Sequence, residues 1–135
     1  ADELNKIGEK TKKAGIQTGF HNHHGEFEKI DGVLIYDALL KQFDPELVKM
    51  QFQVAVINIG IKAADYFNKY PGRFISAHLA DYSLLDQKSV PLGKGIVDWK
   101  EFFEASGKGG IKNIFVEMDP VTFKESAQFI QNLQY

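Results

Sequence analysis

Apolar positions along this chain alternate between two spacings, one suited to helices and one to strands. Over residues 2–13, Leu4, Ile7, Gly8 and Thr11 share one face and charges fill the rest, which predicts a helix; Ala14-Gly15 ends it. Residues 16–21 read as a strand finishing at His21, and 22–33 as a polar loop with Gly25 and Gly32. Leu34, Ile35, Ala38 and Leu39 predict a helix over 34–42, stopped by Asp44-Pro45. The apolar run at 48–57 suits a strand covered on both faces of a parallel sheet. A helix at 61–70 is closed by Pro71-Gly72, and a third strand follows at 73–79. Residues 80–96 form a long loop with Pro91 and Gly93-Lys94-Gly95. Asp98 is placed to cap a helix at 99–106, which the glycines of 107–110 break. A fourth strand spans 111–118, and Asp119-Pro120 opens a last helix to about residue 133.

The order is α(βα)₄, and strands alternating with helices imply right-handed crossovers and a parallel sheet. By length, residues 1–135 make a single domain or a piece of one. Two architectures fit: a small doubly wound sheet, or half of a (β/α)₈ barrel whose full length is typically ~250 residues. The half-barrel explains more. Three of the four strands end in polar groups, His21, His78 and Glu117, and barrels assemble active sites from several strand ends. Doubly wound sheets place ligands at one switch point instead.

Composition narrows the classes. Hydrophobic residues are 44% and charged residues 25% of the chain, ordinary for a globular protein. The formal net charge of −2 gives no general attraction to nucleic acid or to an anionic membrane. Lys10, Lys12 and Lys13 read as a solvated helix face. Without cysteine there is no disulfide framework and no thiol nucleophile. No apolar run approaches the ~20 residues of a membrane span. No signal peptide is read within these residues, which start at Ala1 rather than Met, and the location is left open with the cytoplasm slightly favoured.

Chemistry concentrates in His21-Asn22-His23-His24-Gly25-Glu26-Phe27-Glu28, which holds three of the four histidines. Imidazoles and carboxylates at a strand exit suit a divalent metal or a proton-transfer site. His21 and His23 face the same way on an extended segment. His24 points the other way and Glu28 faces water. His78 lies on one strand face with Ser76. Asp81 is placed either to orient His78 or to cap the loop. Glu117 follows the apolar Ile114-Phe115-Val116, where an unpaired charge would be costly. The backbone N–H groups of Gly93-Lys94-Gly95 and the Lys94 ammonium form a candidate anion or hydroxyl clamp, although a turn explains the glycines as well. Trp99, Phe102-Phe103 and Tyr66-Phe67 read as helix packing. Gln53, on a buried strand, needs partners, from substrate or from the chain.

Four words in order resemble the sugar phosphate isomerase/epimerase family of the xylose isomerase-like TIM-barrel superfamily. They are Phe20-His21-Asn22-His23-His24-Gly25-Glu26-Phe27, Tyr70-Pro71-Gly72-Arg73-Phe74-Ile75-Ser76-Ala77-His78, Leu92-Gly93-Lys94-Gly95-Ile96-Val97-Asp98-Trp99 and Phe115-Val116-Glu117. The resemblance covers nearly the whole chain and implies the second half of a barrel, strands five to eight. It implies a metal site of an acid, an Asp, a His and a Glu, one from each strand end. His78 and Glu117 match the His and the Glu. His21 stands at the first strand end, with Glu26 the nearest carboxylate. Gln53 stands where the Asp is expected, so affinity for Mn²⁺ or Mg²⁺ should fall; the site could still hold Zn²⁺ through His21, His78 and Glu117, with Glu26 a further candidate ligand, or hold no metal.

The resemblance implies a carbohydrate-directed isomerase, epimerase or lyase domain acting by proton abstraction next to a carbonyl. Glu117 and Glu26 are its candidate bases or ligands, His21 a candidate proton donor or ligand, and His78 a ligand. His23, Gln53 and Lys94 are candidate substrate contacts. The expected partners are a small sugar and a missing N-terminal half-barrel or second copy. The alternative, motivated by Gln53, is a degenerate, non-catalytic carbohydrate-binding barrel. An endonuclease-like role is disfavoured by the lack of a basic surface.

Overall fold

Five helices and eight strands follow one another in a computed structural model that describes residues 1–134. The helices are α1 (Asp2–Lys13), α2 (Ile35–Gln42), α3 (Ala63–Lys69), α4 (Trp99–Gly109) and α5 (Phe123–Asn132). The strands are β1 (Thr18–His21), β2 (Lys29–Ile30), β3 (Val33–Leu34), β4 (Val48–Gln53), β5 (Phe74–Leu79), β6 (Asp81–Ser83), β7 (Lys88–Val90) and β8 (Asn113–Val116). The strands of the parallel sheet are β1, β4, β5 and β8, so the fold has the expected α/β class and the expected α(βα)₄ order. The chain divides into two compact units, Ala1–Gln51 and a second beginning at Phe52.

In the first unit, β1 pairs in parallel with β4 from Thr18↔Val48 to His21↔Gln51. Tyr36, Leu40, Phe43, Val48 and Met50 are its buried apolar residues, with Phe27 packed on Tyr36 at 4.8 Å between ring centroids. Gly8 lets α1 lie close to the 44–47 turn, because a Cβ there would meet the Leu47 side chain and carbonyl at 2.9 Å. The 22–33 segment is not all loop. β2 and β3 form a hairpin across Asp31-Gly32, whose φ angles of 52° and 80° are those of a two-residue type I′ turn. The Asp-Gly dipeptide carried that signal in the sequence.

The second unit is organised around aromatic rings. Phe52 packs on Tyr66, Phe67 and Phe74, and Phe67 packs on Phe102. Trp99 packs on Phe102 and Phe103. Phe52, Phe67, Phe74, Trp99, Phe102 and Phe103 are all buried, so the aromatic pairs are packing, as their helical spacing implied. β5 pairs in parallel with β8 from Ser76↔Asn113 to Leu79↔Val116.

Three boundaries differ from the sequence reading. The apolar run 48–57 is strand only to Gln53; Val54–Ile59 turns into a 3₁₀ helix because the Gln53 side chain accepts from the Ala55 N–H at its start. The 80–96 loop contains the antiparallel hairpin β6–β7. α4 runs on to Gly109, since only Gly110 takes the left-handed conformation that ends it, at φ 74°. Asp98 caps α4 through the Glu101 N–H as expected, at 2.9 Å.

Candidate functional site

Strand ends deliver the polar groups of the second unit to one carboxylate. Gln53 is the last residue of β4, His78 lies one residue before the end of β5, and Glu117 directly follows β8. The parallel β5–β8 register sets His78 beside Phe115 and Leu79 beside Val116, and the Glu117 N–H donates to the Leu79 carbonyl at 3.0 Å. The Glu117 side chain is thereby brought to His78. Its Oε2 lies 2.7 Å from His78 Nδ1 and accepts from Gln53 Nε2 at 2.5 Å.

Both side chains facing that oxygen have a defined orientation. The Ala55 N–H can only donate, so the Gln53 carbonyl oxygen must face it, at 3.2 Å. The Gln53 amino group is left to face Glu117. An ionised Glu117 can only accept, so His78 turns an N–H, at Nδ1, toward it. His78 is the more covered partner; its side chain is 23% exposed and that of Glu117 53%.

That exposure corrects one expectation. Ile114, Phe115 and Glu117 are exposed and Val116 is only half-buried, so Glu117 is not a charge embedded in an apolar strand. β8 is an edge strand whose hydrogen-bonded neighbour is β5.

Of the two tasks considered for Asp81, the structure shows the loop cap. Its carboxylate is 1% exposed and accepts from the N–H groups of Tyr82, Gly93, Gly95 and Val97 at 2.9–3.2 Å and from Trp99 Nε1 at 2.9 Å. The clamp expected of Gly93-Lys94-Gly95 therefore closes on the protein's own carboxylate. Gly95 is required there, because a Cβ would sit 2.1 Å from Asp81 Oδ1. Lys94 Nζ lies 3.5 Å from Glu125 Oε1, with both side chains exposed. The Leu92–Trp99 word is thus an internal anion-binding loop.

In the first unit, His21 ends β1 and meets His23 edge-on, with ring centroids 4.8 Å apart, as their alternation predicted. Asn22 between them is fully buried, a feature the sequence reading left unassigned. His24 and Glu28 are exposed. Glu26 Oε2 accepts from the His23 N–H at 2.6 Å, so this carboxylate closes the turn it stands on.

The ligand set implied by the resemblance can be tested on this donor chemistry. A hard cation needs oxygen lone pairs aimed at it. A carboxylate oxygen has two, and those of Glu117 Oε2 face the Gln53 amino group and the His78 Nδ1 proton. Gln53 turns N–H groups, not its oxygen, toward the carboxylate. Gln53 therefore supplies no ligand oxygen where the resemblance implies an Asp, while His78 and Glu117 stand as the His and the Glu of that set.

Comparison with known proteins gives one consistent picture. No family model matches the chain. It is similar to an inosose dehydratase of Geobacillus thermodenitrificans (strain NG80-2), with 25% identity over 156 aligned residues, covering 99% of this chain and 51% of that protein. Two solved sugar phosphate isomerase/epimerase structures from Parabacteroides distasonis ATCC 8503 share its fold. One has a TM-score of 0.83 and 26% identity and covers 98% of this chain and 52% of its own. The other has a TM-score of 0.81 and 27% identity, with coverage of 95% and 49%. A D-tagatose 3-epimerase-like protein, at 20% identity and a TM-score of 0.68, shares the fold over 95% of this chain and 50% of its own. The chain spans about half the length of the relatives it matches. Among the described residues, no helix is long and apolar enough to cross a membrane.

Proposed function

From its similarity in sequence and fold to sugar phosphate isomerase/epimerase proteins, we propose that this chain carries part of a carbohydrate-directed active site that moves a proton next to a carbonyl. The observation that carries the reading is the Gln53–Glu117–His78 contact at three strand ends. It holds a carboxylate that is half exposed, and so reachable, in a fixed orientation.

Glu117 is the proposed base. It takes the proton from the carbon beside the carbonyl, and the C–H electron pair forms the C=C bond of an enediolate. Protonation of that carbon from the opposite face by a second acid gives the epimer, and protonation of the neighbouring carbon by Glu117, with a proton passing between the two oxygens, gives the isomer. Collapse of the same intermediate onto a β-hydroxyl, which leaves as water with the proton held by Glu117, gives the dehydrated product, as a lyase would. His78 holds Glu117 through Nδ1. His21 and His23 remain proposed substrate contacts or proton donors of the first unit. Glu26 is a weaker candidate base, because it closes its own turn. Lys94 is assigned no catalytic step.

The barrel is completed, in this reading, by an N-terminal half of similar length or by a second copy. Light scattering on the chromatographed chain checks this; a well-behaved monomer with protected strand edges counts against both.

The test of the reaction is solvent exchange. The protein is incubated with a panel of aldoses, ketoses and inososes in D₂O, and deuterium entry beside the carbonyl is followed by proton NMR. Exchange that falls at least about 10²-fold in Glu117→Gln supports the reading. A second reading, a non-catalytic carbohydrate-binding domain, is favoured by the two donors already seated on Glu117 Oε2. Saturable sugar binding without exchange in wild type would select it.

A further inference from the structure

We propose that Gln53 is the positioning residue of Glu117 and that its amino group takes the place a divalent cation would hold at this carboxylate. The inference deepens the reading of Glu117 as the reacting carboxylate and rests on it.

Three observations carry it. First, the orientation of Gln53 is fixed from its far end. The Ala55 N–H at the start of the 3₁₀ helix demands the amide oxygen, so the amino group must point to Glu117. Second, both donors meet the same atom. Oε2 receives Gln53 Nε2 and His78 Nδ1, and a carboxylate oxygen has two lone pairs to give. Third, Gln53 is 7% exposed at the end of β4, so its side chain has little freedom to turn its oxygen inward. Turning it would set a carbonyl against a carboxylate and leave the Ala55 N–H facing an amino group.

A neutral donor and a cation both stabilise a carboxylate, but they are exchanged differently. The amide is covalently held and cannot be removed by a chelator. A carboxylate at the same position would reverse the chemistry. Two acids side by side repel each other until a cation binds between them. Gln53→Glu keeps the length of the side chain and replaces the amino group with an oxygen, so it is the informative change. Gln53→Asp is the shorter companion.

The experiment needs no substrate, so its failure and the failure of the reaction reading are separable. Mn²⁺ uptake by the full chain is followed by the loss of free-ion paramagnetic resonance. The imidazole tautomer of His78 is read by long-range proton–nitrogen NMR, assigned with His78→Gln. The expected wild-type result is no saturable Mn²⁺ site, together with a protonated Nδ1 on His78. Gln53→Glu or Gln53→Asp should gain Mn²⁺ affinity by at least about tenfold.

Saturable uptake of one Mn²⁺ per wild-type chain, lost in Glu117→Gln, would overturn the proposal. So would a Gln53→Glu chain with wild-type far-ultraviolet dichroism and no gain in Mn²⁺ affinity. Should both Gln53 variants fail to fold, the wild-type measurements decide: a His78 protonated on Nε2 with bare Nδ1 would refute the arrangement.

Discussion

The Trp99 indole N–H donates to the Asp81 carboxylate at 2.9 Å, joining the first turn of α4 to the start of β6 inside the second unit. Four backbone N–H groups converge on the same carboxylate, three of them from the 93–97 loop. One buried acid therefore sets the course of the chain between β7 and α4. This explains Gly95, where a Cβ would strike the Asp81 carboxylate, and Trp99, whose side chain supplies a donor.

Asp81→Ala should lower stability by about 3 kcal/mol or more, because several buried donors lose an ionised acceptor together. Urea unfolding followed by Trp99 fluorescence measures this. Asp81→Asn should retain part of the loss, since the amide oxygen can accept but its amino group faces donors. A change of under about 0.5 kcal/mol in both would show that the loop is held by other contacts.

Glycines in this unit divide sharply by what surrounds them. Gly95→Ala places a methyl group 2.1 Å from Asp81 Oδ1 and 2.5 Å from the Tyr82 carbonyl, so the loop must move. A loss of about 1–3 kcal/mol is expected. Gly107→Ala lies within α4 with nothing inside 4 Å of the new methyl group. It should gain about 0.5–1 kcal/mol from the helix preference of alanine. Thermal midpoints of the two variants should move in opposite directions.

Phe67 is 1% exposed and touches the rings of Phe52, Phe74 and Phe102. Truncation to alanine should cost about 3–5 kcal/mol, through lost transfer energy and the cavity left behind. Phe67→Leu should cost clearly less. Equal midpoints for the two in urea would mean that the ring contacts contribute nothing beyond volume.

Lys62 Nζ donates to Glu101 Oε2 at 3.2 Å. That hydrogen bond, helped by the Glu101 charge, raises the ammonium above its ordinary value of 10.5. The folded form then holds this proton to higher pH than the unfolded form. The contribution is complete below 10.5 and disappears as pH rises through the folded-state value. Lys62→Met should flatten the alkaline limb of the stability–pH curve and leave the acid limb unchanged. The pair is open to water, so the effect is small. A changed acid limb would show that other groups respond to the substitution.

The sequence by itself determined the element order. Helical spacing, strand runs and Pro-Gly stops are local properties, so α1, α3 and the Asp98 cap of α4 stand close to where the pattern put them. The sequence also placed His21, His78 and Glu117 at strand ends, because strand length and chain direction are local as well. Tertiary structure alone decided what those ends face. Gln53 carries no mark in the sequence that its amino group meets Glu117, 64 positions away; the pairing exists because parallel strands bring their ends together while Ala55 fixes the amide. The glycines at 93 and 95 fit a ligand clamp and an internal one equally well. Only the burial of Asp81 among those N–H groups resolved the two, since a buried carboxylate must gather the donors that water would have supplied.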